Sequence, residues 1–130
     1  MKRILGLLVL AAGVLLAQPQ TAPAAFASVP RKAVTKRNPL ATDPDAPAAG
    51  RKLFAQHCAA CHGPAAEGSR KGPPLHAAEI QNATPGRIFW IITNGVVRRG
   101  MPAWSKLPEP QRWQIVSYLT SFNASIESQP

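Results

Sequence analysis

Three stretches of the chain carry apolar residues at helical spacing. In the first, Ala46, Gly50, Leu53, Phe54, Cys58 and Cys61 recur at three- and four-residue intervals, so one face is apolar and carries both thiols. Asp45 is the N-cap candidate and Pro47 is tolerated in the first turn, which predicts a helix from about Asp45 to about Ala60. Gly50 on that face costs about 1 kcal/mol against alanine, and a close helix crossing is the reason to keep it. The second stretch opens with Thr84-Pro85, an N-cap followed by proline at the first helical position. It then shows Ile88, Ile91 and Ile92 as a stripe and ends on the stop signal Asn94-Gly95. The third follows Pro108 and Pro110, and its Trp113, Ile115, Val116, Tyr118, Leu119 and Phe122 form a broad apolar face, with fraying expected beyond Asn123. Between the first two helices, residues 63–74 hold three glycines and three prolines without an apolar period, which makes a loop.

The N-terminus follows a different pattern. Met1-Lys2-Arg3 is a charged start, and Ile4 to Ala17 is an apolar run of 14 residues, short for a bilayer and the right length for the core of an export signal. Ala25-Phe26-Ala27 is the expected cleavage site, with Ala22-Pro23-Ala24 or a cut after Ala17 as alternatives, so residues 1–27 read as a signal peptide. No cysteine follows the apolar run, which argues against a lipid anchor, whereas an uncleaved run could serve as a membrane tether. Residues 28–42 lack an apolar period and carry a basic cluster from Arg31 to Arg37, so they read as a disordered, Pro/Ala-rich linker ahead of a single domain at 43–130. The expected location is the periplasm.

Charge changes the picture only once it is divided by region. The formal net charge is +9, but residues 1–37 contain six basic residues and no acid. From Asp43 onward nine basic residues face six acids, a mildly basic domain without the dense Lys/Arg face and interleaved aromatics of a nucleic-acid binder.

The chemistry centres on His57-Cys58-Ala59-Ala60-Cys61-His62. Cys-x-x-Cys-His is the spacing at which a chain is attached to haem: Cys58 and Cys61 leave one helix face about a turn apart, and His62 is placed to become an axial ligand of the iron. Three other uses of such cysteines fit less well. No strand-like run precedes residue 58, as a thioredoxin-like site would require; His57 and His76 are at spacings unlike any zinc finger or ribbon; and a disulfide between i and i+3 would be strained. His76 is a rival sixth ligand, and His57, one residue from Cys58, is expected to point away from the thiol face as a partly exposed side chain. Phe89 and Trp90 read as packing residues, with the Trp90 indole within conceivable reach of a haem propionate.

Apart from Met1, Met101 is the only methionine, and a soft neutral thioether is a common partner for histidine across a haem. Gly50-x-x-x-Phe54-x-x-x-Cys58-Ala-Ala-Cys61-His62-Gly63, Gly72-Pro73-Pro74-Leu75, Gly100-Met101-Pro102-Ala103-Trp104 and Trp113-x-x-x-x-Tyr118-Leu119 occur in that order, and together they resemble the class I c-type cytochromes over residues 45–123. That resemblance implies an all-α fold, with N- and C-terminal helices crossed at Gly50 and Phe54 and shorter helices around one covalently bound haem c. It also implies that the Pro73 carbonyl accepts the His62 ring N–H, that Leu75 packs on the haem, and that Met101 supplies the second axial ligand of the iron.

With His62 and Met101 filling both axial positions, the iron has no open site for a substrate, so the expected function is one-electron transfer rather than catalysis. The expected partners are a transient redox donor and acceptor, among them a membrane-bound oxidase or dehydrogenase; the domain could also be a bound relay subunit of such a complex, or a peroxidase-like enzyme if Met101 dissociates. Met101 follows His62 by 39 residues, a short interval that suggests a trimmed loop and an exposed haem edge, with Arg98 and Arg99 placed to flank it.

Overall fold

The computed structural model describes the backbone of residues 24–127 and the side chains of residues 24–123; most of the expected signal peptide, residues 1–23, lies outside this range. Among the described residues the regular structure is helical: α1 (Ala24–Ala27), α2 (Arg31–Val34), α3 (Ala46–His57), α4 (Ala59–His62), α5 (Ala78–Gln81), α6 (Pro85–Asn94) and α7 (Glu109–Glu127), with a 3₁₀ turn at Val97–Arg99. The sole β feature there is an isolated antiparallel bridge between Val96 and Met101.

The crossing of α3 and α7 is the principal helix contact. Gly50 is buried where a Cβ would fall 2.5 Å from the Gln114 carbonyl carbon and closer still to its oxygen, so only hydrogen fits between the two backbones. One turn along, Phe54 packs on Tyr118 with ring centroids 5.3 Å apart. Trp113 turns the other way and stacks on Phe89 of α6 at 3.9 Å, which ties α6 to α7. Phe89 and Trp90 therefore act in packing, as expected, and neither lines the main cavity. The indole N–H of Trp113 donates to Glu109, whose carboxylate also meets Lys36 at 2.9 Å. Those two hydrogen bonds hold the Glu109 carboxyl below its ordinary range. Any stability this supplies is present above the usual carboxylate pKa and is lost as pH falls; with both partners about half exposed, the ion pair adds little.

Element boundaries depart from the sequence reading in three places. Asp45 occupies the N-cap position of α3 but its side chain caps nothing, the nearby carboxylate contact being Asp45 N–H to Asp43. The helix does not run through to Ala60: it breaks at Cys58, where φ is −119°, and resumes as α4. The amides of Cys61 and His62 both donate to the Cys58 carbonyl, so the turn tightens without losing its hydrogen bonds. At the other end α7 continues past Asn123 to Glu127.

The largest departure is upstream. Residues 28–42 are not a disordered linker; they lie against the domain through α2, two proline-bounded turns and side-chain contacts to α6 and α7. Leu40 N–H donates to Asn38 Oδ1, and the Ala33 and Val34 amides donate to the Pro30 carbonyl, so the backbone is satisfied locally. Each element is a single turn, too short to register as periodicity in the sequence. Phe26, inside the expected signal peptide, is also part of the core.

Candidate functional site

A cavity of about 560 Å³ opens between α3, α4, α6, α7 and the loops that join them. Its proximal wall is α4 and the loop after it. His62 is 9% exposed and turns its ring into the cavity, with Nδ1 2.9 Å from the Pro73 carbonyl oxygen. A carbonyl only accepts, so Nδ1 carries the ring proton and Nε2 keeps a free lone pair. The loop is braced by its own hydrogen bonds: Gly68 N–H to the His62 carbonyl at 2.7 Å, Ser69 N–H to the Gly72 carbonyl at 2.9 Å and Leu75 N–H to the Ala66 carbonyl at 2.9 Å. Such bracing fixes the Pro73 carbonyl, and through it the imidazole plane.

The opposite wall is Ile88, Ile91 and Ile92 of α6 together with the loop that follows. Val96 and Met101 exchange two backbone hydrogen bonds, at 3.0 and 3.3 Å, and the Trp104 amide returns to the Ile92 carbonyl at 3.0 Å. Met101 is thereby anchored on both sides while its side chain reaches the cavity. Phe54, Ile115 and Leu119 close the interior.

All six residues singled out in the sequence line this one cavity: Cys58, Cys61, His62, Pro73, Leu75 and Met101. Cys58 is the more sheltered thiol. Burial first, and the neighbouring Cys61 second, push its pKa up to about 11, so before modification it stands as the neutral thiol. Among the described residues no three His, Cys, Asp or Glu side chains converge into a cage for a bare metal ion. The donor set instead suits a flat, largely apolar macrocycle: two thiols on one side, an imidazole nitrogen and a thioether from facing walls, and hydrocarbon elsewhere.

The two other histidines part company. His76 is exposed, stacks on Phe122 at 4.0 Å, donates through Nε2 to the Ala65 carbonyl, and lies outside the cavity, so it is no rival ligand. His57 does not point away as expected: it lines the cavity mouth with its ring 5.1 Å from that of Trp104. His57 is the last residue of α3 and lies three residues after Phe54, so it shares the face that lines the cavity; its adjacency to Cys58 was the wrong guide. Phe26, which also lines the cavity, was missed for another reason: its small, proline-rich surroundings read as a cleavage site.

Comparison with known proteins places the chain among haem proteins of one kind. The family model for "Cytochrome C oxidase, cbb3-type, subunit III" matches residues 45–119. The chain is 38% identical over 98 residues to the cbb3-type cytochrome c oxidase subunit CcoP of Rubrivivax gelatinosus, a match that covers 73% of this chain and 30% of that protein. It is also similar to the crystal structure of cytochrome cL from the marine methylotroph Methylophaga aminisulfidivorans, at 32% identity and a TM-score of 0.58, covering 67% of this chain and 61% of that one. The chain thus spans under a third of the oxidase subunit and about three-fifths of the cytochrome cL chain.

Proposed function

Because the chain belongs to the cbb3-type cytochrome c oxidase subunit III family of c-type cytochrome domains, which carry covalently bound haem c and transfer electrons rather than catalyse on their own, we propose that it carries one electron at a time between periplasmic redox partners. The observation that carries this reading is the convergence of Cys58, Cys61, His62 and Met101 on one apolar cavity from facing walls. Cys58 and Cys61 would hold the macrocycle through thioethers, with His62 Nε2 and the Met101 sulfur as its axial ligands. The bound group supplies an iron that is stable in two oxidation states. The chain's own residues do the rest. Pro73 fixes the His62 tautomer, Leu75 and the α6 isoleucines keep water from the faces, and the Val96–Met101 bridge holds the thioether in place. With both donors engaged, the thioether would raise the reduction potential and no position would be left for a substrate.

The test is the purified, exported protein: an intact mass one haem above the polypeptide, and a visible spectrum that switches reversibly between two states. Bare polypeptide of unmodified mass would sink the proposal.

The surface beside Met101 favours a docking role. Val97 is 72% exposed, Arg98 and Arg99 beside it are also exposed, and Arg99 reaches the cavity rim. A small apolar contact ringed by positive charge suits a brief encounter with an acidic redox partner. Arg98→Glu/Arg99→Glu is expected to lower the bimolecular transfer rate to such a partner about tenfold at low ionic strength, with the loss fading as salt is added. Stopped-flow traces at several salt concentrations read this directly; equal rates at every concentration would remove the arginines from the encounter. No described helix is long and apolar enough to cross a membrane. A place as the haem relay of a membrane-bound terminal oxidase accords with the family match, and co-purification at constant stoichiometry with the other oxidase subunits tests it.

A further inference from the structure

We propose that residues 24–42 are a permanent strap of the mature protein, cut from the leader upstream of Ala25 rather than after Ala27, and that its Phe26, with Arg87 beneath it, shields and neutralises one edge of the haem. This rests on the reading of the cavity as the haem site.

Three observations carry it. The strap is fastened rather than draped. Thr84 Oγ1 donates to the Val34 carbonyl at 2.8 Å, and Asn38 Nδ2 donates to the buried Ser117 hydroxyl at 2.8 Å. The Lys36 ammonium sits 4.6 Å from the Phe89 ring centroid while it meets Glu109. Gly86 is the matching surface on α6: any Cβ there would run into the carbonyl oxygens of Ala33 and Lys36, so the strap and α6 are fitted backbone to backbone.

The second observation is Phe26. It is 6% exposed and forms part of the cavity wall, so a chain beginning at Ser28 would lose a whole aromatic ring from the site. The third is Arg87. Its guanidinium carbon lies 5.6 Å from the Phe26 ring centroid, and its Nε is buried with no hydrogen-bond partner. A buried N–H donor without an acceptor is costly; Arg87, half-buried as a whole and not itself on the cavity lining, stands next to Ile88 and one turn before Ile91, both on the cavity wall. A haem propionate is a carboxylate that would enter at such an edge and supply the missing acceptor.

Both residues then act on the redox equilibrium. Shielding from water disfavours the more highly charged oxidised state, so Phe26 raises the reduction potential. Arg87 works in the same direction by placing positive charge nearby.

The experiment uses the full chain exported with its own leader from a host that matures c-type haem. Intact mass is expected to show an N-terminus at or before Ala25, and a start at Ser28 or later would overturn the proposal. Phe26→Ala and Arg87→Gln are each expected to shift the midpoint potential downward, and Phe26→Leu to restore most of the first shift. A Phe26→Ala protein that keeps its haem and its potential, with only its thermal midpoint lowered, would make the strap a stabilising element alone and overturn its role at the haem. Loss of haem from the wild-type protein would instead bring down the reading beneath it.

Discussion

Met101→Ala is expected to lower the midpoint potential by a sizeable part of the about 0.8 V that axial ligation spans, and to open the iron to cyanide and carbon monoxide. The reasoning is local. The Val96–Met101 bridge is made by backbone groups, so truncating the side chain leaves the loop in place and removes only the thioether. Of the other two histidines, His76 lies outside the cavity, and the His57 ring is engaged with Trp104 at the mouth. The variant should therefore keep its fold and its covalent haem while gaining an open coordination position, which is the condition for peroxidase-like turnover. Potentiometry and ligand titration of the purified variant check this; an unchanged potential with no ligand binding would exclude Met101 from the coordination sphere.

Gly50→Ala should be the most damaging single-methyl addition in the molecule. The new Cβ meets the Gln114 carbonyl and the Tyr118 Cβ, main-chain and stem atoms that cannot swing aside, so α3 and α7 must separate. Overpacking of this kind costs roughly 1–3 kcal/mol where side chains can adjust. With backbone in the way, the upper end or beyond is expected, in spite of the better helix propensity of alanine. Chemical denaturation of the holoprotein reads the loss. A thermal or denaturant midpoint equal to wild type would mean that the helices do not touch at Gly50 in solution. Because α3 leads directly into Cys58, a displaced α3 should also perturb the haem spectrum.

The core of this site could be read in the chain before any coordinates. Cys58, Cys61 and His62 are close in sequence, and their spacing alone constrains what they can hold. Met101 stood out by elimination, and the Gly50–Phe54 crossing by an otherwise unexplained glycine on an apolar face. Pro73 and Leu75 were legible only through resemblance to a family, since nothing in their spacing shows a carbonyl aimed at an imidazole. What stayed hidden depends on contacts between distant segments. Residues 24–42 consist of single turns whose order comes from Thr84, Gly86 and Ser117, far along the chain, so no local pattern announces them. His57 was legible but judged by its adjacency to Cys58; its i+3 relation to Phe54 already places it on the cavity-facing side of α3.

The paired hydrogen bonds between Val96 and Met101 bear on speed as well as on geometry. If Met101 and His62 ligate the iron as proposed, a sulfur held from behind by a closed backbone loop and an imidazole clamped by its own loop carbonyl would have little room to relocate between the two oxidation states. Inner-sphere reorganisation should therefore be small, and the pace of exchange will be governed by separation and by how the encounter complex is seated. Substitutions that loosen the 96–101 turn, while sparing every residue that touches the porphyrin, should slow self-exchange before they alter the midpoint.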